Sequence, residues 1–270
     1  MDTMRPIYEK AVADAKAADT PEKRRGVGIA WGGFNVTEGG GDSAEVALEL
    51  MPGNKIRKYD TWHAMGQGAT TGSLVVTLEA LKEMHLTPED IQLIQNDTKT
   101  CPDTGMAGAS RSLYMDGNAT IIAANKLLAA MRKEDGTLRT YDEMKAEGIE
   151  TKYLGRYETN TTPGLCRLDP NTGIGDPTPA FTYCLNLAEV EVDTKTGKTT
   201  VLKFTCVDFV GRIGNIDAVN GQAYSGIMHG IGFALKEDYA DVKKHANMFG
   251  AGTSYIKDVP DDINLIHIDG

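Results

Sequence analysis

The sequence of 270 residues has few cysteines and few basic residues. Its four cysteines form no CxxC pair, and its five histidines show no HxH or HxxxH spacing. A zinc ribbon or an iron–sulfur cluster held by this chain is therefore not expected, and we predict no protein metal ligands. The formal charge is −10, with 38 acidic residues against 28 basic ones. This balance argues against a basic face for nucleic acid or for an anionic membrane.

Long apolar segments are also missing. No stretch approaches the roughly 18 apolar residues of a membrane-spanning helix, and the first residues show no signal-peptide core. We therefore predict a cytoplasmic protein. The hydrolase motifs GxSxG and HExxH and the Walker lysine loop do not occur either, so nothing indicates those chemistries.

Glycine is abundant, with 30 residues, and it permits positive φ angles and close approach of the backbone to a ligand. Small or amide residues lie just before a predicted helix in three segments, at positions 65–68, 107–112 and 221–222. Unpaired amides at a helix N-terminus attract anions, and the side chains of Gln67 and Gln222 both donate and accept hydrogen bonds. Each segment alone is also explained by a helix cap or by a small-residue packing contact.

The apolar spacing predicts the fold class. Helical periods occur near residues 5–17, 74–84, 121–131 and 222–235. Alternating patterns predict hairpins over 44–60 and 181–209. Because strands and helices come in blocks, we predict an α+β fold with mixed and antiparallel sheets and packed helices. We divide it into 1–178 and 179–270, two parts of one region.

Two groups of motifs carry a resemblance to a known family. One comprises Met65-Gly-Gln-Gly68 and the segment from Cys101-Pro-Asp-Thr-Gly105 to Ser110-Arg-Ser112. The other comprises residues 188–193, 196–197, 208, 219–222, 226 and 230–235. Together they resemble the molybdenum-cofactor-binding region of the xanthine dehydrogenase and aldehyde oxidoreductase family, the molybdenum hydroxylases. The resemblance extends from about residue 4 to the end, and it is nearest to bacterial aldehyde oxidoreductases.

This resemblance implies the fold of the family's molybdopterin-binding domain, with molybdopterin cytosine dinucleotide as cofactor. It implies an oxidoreductase that oxidises aldehydes or N-heterocycles with water as the oxygen source. The implied cofactor-binding residues are Met65, Gly66, Gln67, Gly68, Ala109, Ser110, Ser112 and Gln222. Gln67 would contact the pterin or a phosphate, and Gln222 would reach the pterin. Ile216 departs from the family, which commonly has proline there.

The resemblance also implies partners. The family's catalytic glutamate lies in a GxGE motif that this sequence lacks, so we assign no catalytic residue and expect the chain alone to be inactive. The iron–sulfur regions and the first molybdenum-binding region are missing as well. We therefore expect a fragment or subunit that joins them, and self-association without them. The alternative is a non-catalytic nucleotide-binding or scaffold module that retains the fold.

Overall fold

The structure is a computed structural model, and it describes residues 4–37, 41–108, 110–161 and 166–236. In chain order its helices and strands are α1 (Met4–Ala18), β1 (Lys23–Val36), β2 (Ser43–Met51), β3 (Lys55–Asp60), α2 (Ala69–Ala80), β4 (Ile91–Gln95), α3 (Ser112–Met131), α4 (Tyr141–Ala146), β5 (Lys152–Glu158), β6 (Ala180–Asp193), β7 (Thr199–Phe209) and α5 (Ile216–Leu235). None of the helices in these segments has the length and apolar character that a membrane crossing needs.

The described residues form two compact units, one up to Gly33 and from Tyr183 onward, the other from Phe34 to Thr182. Antiparallel and parallel pairs both occur, so the predicted α+β fold with mixed and antiparallel sheets is confirmed. The predicted parts 1–178 and 179–270 of one cofactor-binding region stay a prediction.

The first unit carries a three-stranded sheet in the order β1-β6-β7. The predicted hairpin is confirmed, because β6 and β7 pair antiparallel, with a bulge between Glu189 and Val190. Helix α1 packs its buried Met4 and Ala11 against Leu187 of β6. Apolar residues at three- and four-residue spacing thus give α1 one buried face.

The second unit carries a four-stranded sheet in the order β4-β3-β2-β5. Strand β2 is antiparallel to β3 and β5, whereas β3 and β4 are parallel. Parallel neighbours need a crossover, which α2 supplies. The core contains side chains from β2, β3, α3 and α4, among them Leu48, Leu50, Ile56, Leu127, Met131 and Met144.

Helix α3 lies very close to β5 because the strand has a glycine at the contact. A Cβ atom built on Gly155 would lie 2.0 Å from the carbonyl oxygen of Ala119 and 2.6 Å from the amide nitrogen of Ala123. Both neighbours are backbone atoms of the helix. Only glycine therefore fits at this position.

Candidate functional site

Helices α2 and α3 run parallel to each other, side by side. A Cβ atom on Gly72 would lie 3.9 Å from Leu113 Cδ1, and one on Gly117 would lie 3.7 Å from Val76 Cγ1. Residues near the start of one helix thus meet residues near the start of the other, and later residues meet later ones. The two helix N-termini therefore lie at the same edge of the second unit.

The loops that lead into these helices are joined by a reciprocal pair of hydrogen bonds. The Thr61 N–H donates to Thr104 Oγ1, and the Thr104 N–H donates to Thr61 Oγ1, both at 2.9 Å. The Thr104 hydroxyl donates in turn to the carbonyl oxygen of Glu45 at 3.0 Å. The loop after β3 and the loop after β4 are therefore neighbours. The structure thus brings the predicted segment 65–68 and residues 110–112 of the predicted segment 107–112 to one edge.

The segment 65–68 leads directly into α2, as the sequence predicts. Gly66 and Gly68 have φ angles of 106° and 85°, which favour glycine, and Met65 is exposed. Gln67 Oε1 accepts from the Met65 N–H at 2.5 Å, and Gln67 Nε2 donates to the carbonyl oxygen of His63 at 3.3 Å. The Gln67 side chain thus stabilises its own loop. Its second amide N–H is still available to a ligand.

The segment 110–112 leads into α3, with Arg111 as the N-cap residue. Ser110 has a φ of 51°, an uncommon backbone conformation for serine. No side chain in the described segments caps α3, so the alternative of a helix cap does not explain Ser110. Ser110 is exposed and Ser112 is half-buried, and the described residues offer neither hydroxyl a hydrogen-bond partner. Ala109 lies outside the described residues.

Gln222 lies in the first unit, within α5 rather than before it. The helix begins at Ile216, because the Asn215 side chain caps it by accepting from the Ala218 N–H at 3.0 Å. The prediction that a helix starts after Gln222 is therefore wrong, and the side chain is exposed in the second turn. Ile216 occupies the first helical position, where proline is also favoured, so the helix start is regular despite this departure from the family.

A buried charge cluster lies below the loop after β3, and sequence reasoning missed it. The side chains of Lys58, Asp60 and Asp116 are all 0% exposed. Lys58 Nζ lies 2.7 Å from Asp116 Oδ2 and 3.4 Å from Asp60 Oδ2. Burial raises the pKa of Asp116 to about 6; the Lys58 ammonium opposes this shift and the Asp60 carboxylate adds to it. In the sequence, the only indication of this cluster is that Lys58 and Asp60 lie in a strand that also carries core residues.

Asp60 holds both ends of this loop region in place. Its carboxylate accepts from the Ser73 hydroxyl of α2 at 2.8 Å, from Gln95 Nε2 of β4 at 2.9 Å and from the Trp62 N–H at 3.3 Å. The end of β3, the end of β4 and the first turns of α2 are thereby linked through one buried carboxylate. The loop 61–68 starts and ends on these anchored elements.

The donors at this edge suit an anionic ligand. The first turns of α2 and α3 carry no acidic residue, and no side chain in the described segments caps either helix. Free amides and the helix dipoles therefore favour negative charge here, although the chain as a whole is acidic. Within the described segments, no group of three His, Cys, Asp or Glu residues is placed to hold a metal ion.

Comparisons with known proteins agree with this architecture. The molybdopterin cofactor-binding domain family matches residues 4–260. Aldehyde oxidoreductase of Megalodesulfovibrio gigas is 38% identical over 268 residues, covering 99% of this chain and 29% of that protein. The solved aldehyde oxidoreductase from Desulfovibrio desulfuricans is 41% identical with a TM-score of 0.84, covering 100% of this chain and 29% of the other.

A more distant structure shares the fold. Carbon monoxide dehydrogenase from Oligotropha carboxidovorans has a TM-score of 0.68 at 17% identity, covering 88% of this chain and 33% of the other. The chain thus spans about a third or less of the proteins described here.

Proposed function

Because the chain belongs to the molybdopterin cofactor-binding domain family, we propose that it forms one part of the cofactor site of a molybdenum hydroxylase. The cofactor is molybdopterin cytosine dinucleotide. The complete enzyme oxidises an aldehyde or an N-heterocycle, with water as the oxygen source. The aldehyde is supported by the name of the relative in Megalodesulfovibrio gigas, an aldehyde oxidoreductase.

One observation supports this proposal most: the two helix N-termini that share an edge of the second unit. The amides at the starts of α2 and α3, together with the hydroxyls of Ser110 and Ser112, are donors for phosphate or pterin oxygens. A Cβ atom on Gly66 would meet no described atom within 4 Å, so there is room beside this backbone. The donor set and the open space therefore fit the cofactor.

The chain contributes binding and orientation. When bound, the cofactor supplies the redox chemistry that takes electrons from the substrate. Amides and hydroxyls at the starts of α2 and α3 would hold its anionic groups, and the loop 65–68 would contact it. Ala109 and Gln222 are proposed as cofactor-binding residues on the family resemblance alone. No residue of this chain is given an acid or base role.

The partners are the iron–sulfur regions and the first molybdenum-binding region of the same enzyme. The relative in Megalodesulfovibrio gigas is much longer than this chain, which covers 29% of it. In the first unit Trp31 and Phe209 are 73% and 65% exposed, which is unusual for large apolar side chains and typical of surfaces that bind a partner. The cytoplasmic location stays a prediction.

Two replacements of Ser110 test the cofactor role in the enzyme that contains this chain. Ser110→Ala and Ser110→Gly both remove the hydroxyl, but only glycine relieves the positive φ of 51°. We expect both to lower molybdenum and nucleotide retention about tenfold, since an unmatched polar group in a closed site costs about 1 to 3 kcal/mol. The glycine variant should unfold at the higher temperature of the two.

Full cofactor content in both variants would show that the hydroxyl does not bind the cofactor. Metal analysis, mass spectrometry of the released nucleotide and thermal unfolding are measured on the same samples. A wild-type enzyme that contains neither molybdenum nor nucleotide would favour the alternative of a scaffold module.

A further inference from the structure

The guanidinium of Arg111 makes its hydrogen bonds to other groups of this chain. Its side chain is 4% exposed. Nε and Nη2 donate to the two carboxylate oxygens of Asp42 at 2.7 and 2.8 Å. Nη1 donates to the carbonyl oxygens of Thr104 and Met106 at 2.9 and 2.8 Å, and Nη2 also donates to that of Ser43 at 2.8 Å. All five N–H donors of the side chain are thus engaged.

The loop before α3 closes around this guanidinium. Gly105 has a φ of 79°, and a Cβ atom there would lie 2.8 Å from both Nη1 and Nη2 of Arg111. A larger residue here would have to displace the guanidinium and would be strained at this positive φ, so the position favours glycine. Arg111 thus fixes the path of the described residues 104–108 from within the loop.

Asp42, the partner of Arg111, is itself hydrogen-bonded to two threonines. The Thr37 hydroxyl donates to Asp42 Oδ2 at 2.5 Å. The Asp42 N–H donates to Thr159 Oγ1 at 3.0 Å, and the Thr159 N–H donates to the Asp42 carbonyl oxygen at 2.9 Å. Burial acts to raise the pKa of Asp42, but the hydrogen bonds from Arg111 and Thr37 outweigh it and hold that pKa below its usual value.

We propose that Arg111 is a positioning residue for the cofactor and does not bind it directly. Held by Asp42, it fixes residues 104–108 and the start of α3 before the cofactor arrives, so that Ser110, Ser112 and the first amides of α3 are already in place to bind it. Binding an anion then costs less ordering of the loop. This inference rests on the proposed function. It explains why the side chain of Arg111 is buried although it lies next to a loop that is proposed to bind an anionic cofactor.

Two variants separate positioning from direct binding. Arg111→Lys keeps a positive charge but loses the planar fork that bridges Asp42 and the carbonyl oxygens. Asp42→Asn leaves Arg111 in place but removes its charged partner. Direct binding of a phosphate by Arg111 predicts full or increased cofactor retention in Asp42→Asn. Positioning predicts a loss in both variants.

The first measurement needs no cofactor. Amide hydrogen exchange of the chain should become about tenfold faster or more in residues 104–112 in both variants, because local opening costs less. Exchange in α4 should stay unchanged. The control is Arg156→Lys, since Arg156 also pairs with carboxylates but its side chain is 52% exposed. This control should leave the exchange of residues 104–112 as it is in the wild type.

The second measurement is the molybdenum and nucleotide retained by the complete enzyme. We expect about a tenfold loss in both variants, no loss in Arg156→Lys, and no further loss in the double variant, because Arg111 and Asp42 act as one unit. Faster amide exchange in the two variants with normal cofactor retention would overturn the positioning role of Arg111. Amide exchange as slow as in the wild type would overturn it as well. A wild-type enzyme without cofactor would overturn the proposed function, and this outcome is distinct from normal retention in the variants.

Discussion

Replacing Asp116 with asparagine should change how stability depends on pH. Lys58 lies between two carboxylates, those of Asp60 and Asp116, and all three side chains are 0% exposed. One negative charge in this buried cluster therefore has no counterion of its own. Burial, with some repulsion from Asp60, raises the pKa of Asp116 to about 6. Asp116→Asn leaves a single Lys58–Asp60 pair.

The sign follows from the raised pKa. An acid with a folded pKa near 6 and an ordinary value of 3.8 binds its proton more tightly in the folded state. The stability that this proton adds is complete below about pH 4, is lost as the pH rises to about 6 and does not return above that. At about 1.36 kcal/mol for each pKa unit, the loss is about 3 kcal/mol in the free energy of unfolding. The stability of the wild type relative to Asp116→Asn should therefore be greater at low pH than at high pH by that amount.

Urea unfolding between about pH 4 and pH 8 measures this difference. The sequence has two tryptophans, and Trp62 is 4% exposed with its ring centroid 5.8 Å from Lys58 Nζ. A Trp31→Phe background therefore makes Trp62 the only tryptophan reporter. Asp135→Asn is the control, because hydrogen bonds from Thr137 lower the pKa of Asp135 and its effect should have the opposite sign.

Parallel stability curves for wild type and Asp116→Asn would refute the reasoning. A wild type that gains stability relative to the variant as the pH rises would show that the Lys58 ammonium outweighs burial. In Asp116→Asn, the side-chain amide also places an NH₂ group in the buried space that the Asp116 carboxylate occupies in the wild type. No described residue makes a hydrogen bond to Asp116 Oδ1, so a constant cost of about 1 to 3 kcal/mol across the pH range is expected and does not affect the test.

Two further predictions concern packing and association. Gly155→Ala should destabilise the chain by more than about 3 kcal/mol or prevent folding, since its Cβ would lie 2.0 Å from a helix carbonyl oxygen. The control is Gly28→Ala, whose Cβ would meet no described atom within 4 Å. Similar urea midpoints for the two variants would contradict this prediction. Trp31→Lys should reduce self-association of the chain in sedimentation, because Trp31 is 73% exposed. A wild type that is strictly monomeric at high concentration would show that this apolar surface does not drive association.

Much of the secondary structure could be predicted from the sequence, because its signals are local. Alternation on both sides of Gly197 predicts the hairpin 181–209, which the structure confirms. Thr140 and Glu143 form a capping box at the start of α4, as their spacing indicates. The resemblance to the molybdenum hydroxylases also depends on motifs that are each continuous in the sequence. The signal for the start of α5 is also local: Asn215 caps the helix, whereas the glycine at position 221 predicts a start that is too late.

Only the tertiary structure decided how distant segments meet. Lys58 in β3 and Asp116 in α3 are far apart in the sequence, and in the sequence each resembles an ordinary surface charge; their burial follows from the packing of α3 on the sheet. Arg111 and Asp42 also lie far apart, so their ion pair depends on the loop path that Gly105 permits. The parallel pairing of β3 with β4 brings two helix N-termini together. Helix periods and turn residues indicate where each single helix, strand or turn lies. The site forms only when these elements pack against one another.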